Sequence, residues 1–509
     1  MAYLEMRHIT KRFGPLAANT DVNLSVQKGH IHALLGENGA GKTTLMNILY
    51  GMYSQSEGEI WLDGEKANIH DSKDAIKLGI GMVHQHFMLI PTLSVIENVI
   101  LGYHQISRFK LNLPAAVTRF NDIAEKLHMN VSPWDIIENL TIGQQQRIEI
   151  LKALFRNVKL LILDEPTAVL TPQETQMLFV LLRHLTKEGL TIIFISHKLA
   201  EVMDICDHCT VLRQGRVVAD LHISEIKNKE QLAALMVGRD VDLVTYKEPI
   251  RPGELVLGVK NLSYRDEQKV YRLNNVTFSV HRGEILGVCG VDGNGQSELV
   301  KCIAGLLPPE KGHVTIQGED VTGKSPKDIL KHKVAHIPED RHKMGMIRDM
   351  TLNENLILMA YDRPEYGKHG FLNWKWISDH NEKIIQKYDI KTQGLLGQAG
   401  KLSGGNQQKL VVGRELDREP DLLIAMHPDR GLDIGATKYI QNRLIEERDR
   451  GAAVLLVSTE LDEILELADR IIVLYRGVVM ATLLQKQATR ESLGMLMAGV
   501  RPNMEQPNI

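Results

Sequence analysis

A chain of 509 residues is too long for one ordinary domain, and length alone suggests about three units. Hydrophobic residues at 43% and charged residues at 24% are the balance of a soluble globular protein. A net charge of −3 supplies no basic excess for a nucleic-acid footprint, no stretch of about 18 apolar residues offers a membrane-spanning helix, and four cysteines make no disulfide framework and fit a reducing cytosol.

The chain opens on "MAYLEMRHITKRFG" (1–14), polar and alternating, without the apolar run of a secretion signal. Phe13, near its end, either stacks on an adenine or simply packs. The apolar run "HIHALLG" reads as a buried parallel strand, and "GENGAGKTT" (36–44) follows at once. Gly36, Gly41, Lys42 and Thr43 have the spacing of a phosphate-binding loop. Its glycines let backbone N–H groups turn toward phosphate oxygens, and the start of the next helix adds positive potential. Gly36, Asn38, Gly39, Ala40, Gly41 and Thr44 would cradle the phosphates of ATP. Lys42 would reach the β- and γ-phosphates, and Thr43 would ligate Mg²⁺.

Further along, Gln85 in "MVHQHF" would couple the metal and an attacking water to whatever docks nearby. The strand "LLILDEPT" (160–167) ends in two carboxylates. Asp164 would hold Mg²⁺ through water, and Glu165 would polarise the attacking water. His197, at the end of "LTIIFISH", could contact the γ-phosphate. "CTVLRQGRVVA" reads as a hairpin turning at Gln214-Gly215. Cys206 and Cys209 in "CDHC" have a redox or zinc spacing, but by the repeat below they stand where Ala468 and Ile471 do, at packed positions.

After a linker, "VDLVTYKEPIRPGE" (241–254), the pattern starts again. "DVNLSVQKGHIHALLGENGAGKT" aligns with "NVTFSVHRGEILGVCGVDGNGQS", so that Gly36 and Gly290 stand 254 residues apart. "NLTIGQQQRIEILKAL" aligns with "KLSGGNQQKLVVGREL" at a spacing of 262, so the second copy is about eight residues longer between its middle motifs. Two α/β domains result, 1–240 and 255–509.

The second copy is altered where the first is complete. Its loop keeps Gly290, Gly295 and Ser297, but Gln296 replaces Lys42. Glu339 replaces Gln85, Met426 and His427 replace Asp164 and Glu165, and Thr459 replaces His197. Loss of the lysine's charge-assisted contact costs on the order of 1.5–3 kcal/mol at the phosphates. The reverse holds for "LSGGNQQ" (402–408), intact at Ser403, Gly404 and Gly405. The first copy has "LTIGQQQ", with Ile142 where a glycine would let the backbone approach a phosphate. Asp433 in the second copy stands where the first has Thr171.

The P-loop, "MVHQ", "LSGGNQQ", "LDEPT" and "ISH", in this order, resemble the ATP-binding cassette superfamily, over nearly the whole chain and twice. The arrangement is similar to the tandem-cassette ATPases of bacterial importers. "GMVHQHFMLIPTLSVIENVILG", "GVDGNGQSEL" and "IPEDRHKMGM" resemble the nucleoside-importer branch more than the ribose and galactose branch. The resemblance implies two P-loop domains, each with a RecA-like core, an N-terminal antiparallel β subdomain and a helical subdomain. In the family, cassettes pair head to tail, each ATP lying between one P-loop and the other copy's LSGG. One consensus hydrolytic site would then combine Lys42, Thr43, Gln85, Asp164, Glu165 and His197 with Ser403, Gly404, Gly405 and Asp433. The other site, with Gln296, Glu339, Met426, His427, Thr459, Ile142 and Thr171, would be degenerate. The implied partners are two transmembrane permease subunits and an extracytoplasmic substrate-binding lipoprotein, with no nucleic acid. The ATPase would sit on the cytoplasmic face of the membrane. A simple-sugar importer ATPase is the alternative, and a soluble tandem-cassette translation factor a more distant one.

Overall fold

The computed structural model describes residues 2–84, 87–103, 112–126, 129, 131–167, 170–238, 247–248, 252–369 and 371–501. In the first unit, β1 (Ala2–Phe13) and β2 (Leu16–Gln27) pair antiparallel. Val22, Leu24 and Val26 are buried at the two-residue period of a strand with one face on a core. β3 (Ile31–Leu35), buried along its whole length, leads to α1 (Lys42–Leu49). β4 (Glu57–Leu62) and β5 (Glu65–Ala67) complete an antiparallel sheet in the order β2-β1-β4-β5. After α2 (Ser72–Lys77) and β6 (Ile80–Val83) the chain turns helical, in α3 (Val95–Ile100), α4 (Leu113–Lys126) and α5 (Ile142–Leu154). It returns through β7 (Leu160–Asp164), α6 (Pro172–Lys187), β8 (Thr191–Ile195), α7 (Leu199–Ile205), β9 (His208–Arg213), β10 (Arg216–His222) and α8 (Lys229–Val237).

The larger sheet runs β10-β9-β3-β8-β7-β6, parallel except for β10. Every residue of β3, β7 and β8 is buried, which explains their unbroken apolar runs. The β9–β10 hairpin turns at Gln214 and Gly215, both with positive φ (50° and 75°), the pairing that matches the twist of two-residue hairpins.

The second unit repeats the plan. β11 (Leu255–Arg265), β12 (Tyr271–His281), β13 (Ile285–Cys289), α9 (Gln296–Ile303), β14 (Lys311–Ile316), β15 (Glu319–Asp320), α10 (Pro326–Leu330) and β16 (Val334–Ile337) come first. The helical segment holds α11 (Leu352–Ile357), a short hairpin of β17 (Gly367–Lys368) and β18 (Phe371–Leu372), α12 (Trp374–Lys387) and α13 (Gly404–Leu416). β19 (Leu422–Met426), α14 (Ile434–Asp449), β20 (Ala453–Val457), α15 (Leu461–Leu467), β21 (Arg470–Tyr475), β22 (Val478–Leu484) and α16 (Arg490–Met497) follow. The sheets run β12-β11-β14-β15 and β16-β19-β20-β13-β21-β22, the same orders as in the first unit. Each unit has its own apolar core, for example Leu34, Leu45, Ile162 and Ile193 in one and Val288, Leu299, Ile424 and Leu455 in the other.

By contacts the units are Met1–Asp242 and Leu243–Ile509. Residues 241–246 and 249–251 of the expected linker lie outside the described residues. Lys247 belongs to the second unit: its Nζ donates to the carbonyls of Leu467 and Ala468 and pairs with Asp469 at 2.9 Å. All four cysteines are buried thiols, two in each unit. Burial pushes Cys209 up to about 11 and Cys289 and Cys302 up to about 12, and raises Cys206 well above its ordinary value.

Candidate nucleotide site

In the first unit the chemistry-bearing residues gather at the carboxyl ends of β3, β7 and β8, where ligands of open α/β sheets bind. Between β3 and α1 the loop turns through Gly39 and Gly41 with φ 82° and 100°. A Cβ on Gly41 would lie 2.5 Å from Asn19 Nδ2 and 2.6 Å from the Ala18 carbonyl, so only glycine fits there. No side chain caps α1, whose first N–H groups therefore remain available to an anion. Lys42 is folded into the loop, donating to the carbonyls of Gly36 (2.6 Å) and Glu37 (3.0 Å). Burial lowers its pKa against the opposing pull of Glu165, Asp164 and Glu37. Thr43, Asn38 and Gly39 are exposed, Thr44 is half-buried and Ala40 is buried.

β7 delivers both carboxylates. Burial first, then the charge of Glu165, pushes Asp164 up to about 6, against the pull of Lys42. Glu165 bends into the left-handed region (φ 47°), its N–H donating to the Ile195 carbonyl at 2.9 Å. That bend brings its Oε1 to 2.9 Å from His197 Nδ1 at the end of β8. Burial is the largest single influence on Glu165 and raises its pKa. The His197 hydrogen bond, with the charges of His197, Lys42 and Lys198, outweighs it and holds the carboxyl below its ordinary value. Lys42, Asp164, Glu165 and His197 are thus brought together. The paired carboxylates of Asp164 and Glu165, with the hydroxyl of Thr43, are hard oxygen groups of the kind that could hold a divalent cation. Gln85 lies outside the described residues. Phe13 is 43% exposed at the end of β1, edge-on to Tyr53 with centroids 5.4 Å apart, and Lys11 Nζ lies 5.0 Å from its ring. The sequence carries no signal for Tyr53 and Lys11 here, because nothing in their spacing from Phe13 pairs them with it.

The second unit builds the same loops with other side chains. Gly293 and Gly295 carry φ 85° and 104°, and Gly290 precedes them at the end of β13. Gln296 is buried and folds back as Lys42 does, its Nε2 donating to the Val291 carbonyl at 3.1 Å. Ser297 Oγ donates to Glu339 Oε2 at 3.1 Å. Met426 ends β19, buried. His427 takes the left-handed bend of Glu165 (φ 45°) and is itself buried, which lowers its pKa. Thr459, past β20, is half-buried.

The signature helices differ in a way the sequence did not disclose. α5 is closed by a capping box: Thr141 accepts from the Gln144 N–H at 3.2 Å while Gln144 Oε1 accepts from the Thr141 N–H at 2.9 Å. α13 has Asn406 in place of Gln144. The shorter amide turns to Ser403 Oγ (2.9 Å), and no side chain caps the helix. The start of α13, at Gly404 and Gly405, therefore keeps its N–H groups available. The side chain of Ile142 lies outside the described residues. Asp433 is the N-cap of α14, accepting from the Ala436 N–H at 2.7 Å, and Thr171 caps α6 through a box with Glu174. Both residues therefore have a local structural task.

The sequence model of the ABC transporter family matches residues 19–168 and 273–428. The chain is 45% identical to the nucleoside import ATP-binding protein NupA of Lactococcus lactis subsp. cremoris (strain MG1363), over 97% of this chain and 98% of that one. It is 44% identical to the guanosine import ATP-binding protein NupO of Bacillus subtilis (strain 168), over 97% of each. It is 37% identical to the ribose import ATP-binding protein RbsA of Caldanaerobacter subterraneus subsp. tengcongensis, over 97% of this chain and 99% of that one. Among solved structures, that of an archaeal ribosome recycling factor complexed with a ribosomal stalk protein superposes with a TM-score of 0.63 at 19% identity, over 97% of this chain and 92% of the other, a likeness of fold alone.

Proposed function

The chain belongs to the ABC transporter family and is an ATP-driven import ATPase, and from this premise we propose that it energises uptake of nucleosides. The observation that carries the hydrolytic reading is the cluster of Lys42, Asp164, Glu165 and His197 at three strand ends, against Gln296, Met426, His427 and Thr459 at the same places of the second unit. In this reading Lys42 and the loop N–H groups hold the phosphates of ATP. Glu165, kept ionised and oriented by His197, orders and polarises the attacking water. Asp164 and Thr43 hold Mg²⁺, with Gln85 as a further donor; the metal would neutralise phosphate charge. The signature motif at Ser403, Gly404 and Gly405, with its uncapped helix, completes the hydrolytic site as the family's pairing of cassettes implies. The second copy's own P-loop is the degenerate partner.

Membrane permeases are the partners that importer ATPases work with, and two matching surfaces support docking of one on each unit. Asn98 accepts from the Ile90 N–H (2.7 Å), and Asn355 accepts from that of Ile347 (2.8 Å). Ile90 and Ile347 are thereby held with their side chains 40% and 44% exposed, and on the neighbouring segments, bridged at Ser94–Ile136 and Thr351–Gln398, Trp134 and Leu396 are 56% and 82% exposed. No helix among the described residues is long and apolar enough to cross a membrane. We place the subunit at the cytoplasmic face, served outside by a substrate-binding lipoprotein.

Nucleosides are supported by the two relatives at 45% and 44% identity, and a simple sugar is the second reading, supported by the ribose relative at 37%. Uptake of labelled guanosine and labelled ribose by cells producing the complete transporter decides between them. Guanosine uptake lost on Glu165→Gln is the expected result; ribose uptake lost in its place would transfer the reading to sugars.

A further inference from the structure

The second copy gains three charges around its P-loop together. Asn38, Gln85 and Ala168 of the first copy correspond to Asp292, Glu339 and Arg430. These stand on three separate segments: Asp292 inside the loop before α9, Glu339 just after β16, and Arg430 after β19. In space they converge. Arg430 Nη1 donates to Glu339 Oε1 at 2.8 Å, and its Nη2 lies 3.9 Å from Asp292 Oδ2. The other oxygen of Glu339 accepts from Ser297 Oγ at 3.1 Å, so both ends of the loop are tied to one carboxylate–guanidinium pair. The backbone carbonyl of Arg430 accepts from Arg341 Nη1 at 3.1 Å. Arg341 Nη2 in turn stands beside the signature: a Cβ on Gly404 would lie 3.2 Å from it. One chain of contacts therefore runs from the second P-loop through Glu339, Arg430 and Arg341 to the start of α13.

We propose that Arg430 is a positioning residue, a resident cation that holds the second P-loop, the Glu339 segment and the start of the intact signature helix in register whether or not nucleotide is present. The inference rests on the reading that ATP enters at the P-loops and that the signature of the second copy serves the first copy's site. In the first copy the corresponding residues carry no charge. Each pair is partly exposed and weak when taken singly. The hold comes from one guanidinium spanning segments that the chain separates by more than a hundred residues, counting from Asp292 to Arg430.

Amide hydrogen exchange on the full chain, with and without Mg²⁺ and ATP, tests this. In the unaltered protein, ATP slows exchange across 36–44 about fivefold or more, while 292–297, 338–341 and 403–406 change less than about twofold. Arg430→Ala raises exchange in those three segments about tenfold without nucleotide and makes it respond to ATP. Arg430→Lys restores part of the protection, because an ammonium reaches one carboxylate as a point charge. Glu339→Gln, which keeps the shape and removes the charge, reproduces Arg430→Ala should the alanine variant fold poorly. The ATPase kcat of the assembled transporter falls in step with exchange at 403–406 and recovers with lysine. The proposal is overturned if ATP slows the second copy's segments in the unaltered protein as much as 36–44, or if both variants leave their exchange unchanged. If 36–44 does not respond to ATP, the nucleotide reading fails, and the nucleotide-free comparison of Arg430→Ala with the unaltered protein still decides the role of Arg430.

Discussion

At the end of β7, Glu165 bends into the left-handed region and donates its N–H to the carbonyl of Ile195; at the end of β19, His427 does the same with Val457, at 2.8 Å. A non-glycine residue held there costs on the order of 1 kcal/mol, and both copies bear it. In the first copy the bend turns a carboxylate toward His197. In the second it turns a buried imidazole into a site without Lys42, Asp164 or His197. The conformation therefore belongs to the way this strand ends against its neighbour, and the chemistry is laid over it. A strained residue at a strand end marks a place where catalysis can be built, and the side chains alone tell whether it has been.

The strongest way to break the comparison is to exchange chemistry at the bend. Glu165→Gln keeps the shape and removes the base, and ATP turnover of the assembled transporter is expected to fall by about 100-fold or more, while His427→Ala changes it less than about twofold. Comparable losses from both would erase the distinction between the copies.

A second contrast lies two residues on. In the first copy Thr167 Oγ1 donates to Glu201 Oε2 at 2.6 Å; in the second, Asp429 replaces the threonine opposite Glu463. Both carboxyls are buried; the charge of Glu460 adds to the burial of Asp429, against a hydrogen bond with Glu463 that lowers it, and the charge of Asp429 adds to the burial of Glu463. Asp429 is pushed up to about 6, and Glu463 well above its ordinary value. A folded-state pKa raised in this way favours the protonated form, so the associated stability is full below about pH 4 and is lost as pH rises through about 6. Asp429→Thr removes the part of this loss that Asp429 contributes. Urea unfolding of the second unit should show stabilisation on the order of 1–3 kcal/mol at pH 8 and much less at pH 4. A gain equal at both values would show that the pair does not titrate across this range.

The smallest expected effect concerns the two signature helices. Thr141→Ala removes the cap of α5 and should destabilise the first unit by about 1 kcal/mol. Ser403→Ala removes no cap and should cost the second unit less than about 0.5 kcal/mol. Urea midpoints followed by a probe in each unit compare them, and equal costs would mean that α13 is capped in solution.

The fold class was legible because its signals are local and repeated. The P-loop spacing forces its own turn, and unbroken apolar runs such as "VKLLILD" mark strands buried on both faces. The strand order, with β3 between β9 and β8, was legible only through the family resemblance, since pairing joins residues as distant as His32 and His208. At the site, the exchange of Lys42 for Gln296 was evident from alignment of the copies. That Gln296 still folds into the loop was not, because an amide donating to Val291 and an ammonium donating to Gly36 and Glu37 settle there for different reasons. The pairing of Gln144 with Thr141, and of Asn406 with Ser403, turns on one methylene, and sequence pattern does not weigh a methylene. Asp433 against Thr171 read as a functional contrast; the helix caps add a shared structural reason for both residues.

The four buried thiols have a practical consequence. Held protonated at neutral pH, they are poor nucleophiles, so the folded chain should resist alkylating reagents and mild oxidants. Cys206 and Cys209 lie in one unit, Cys289 and Cys302 in the other. The rate at which each pair takes up a thiol reagent becomes a clock for the opening of its own unit, read in the native protein without any introduced label.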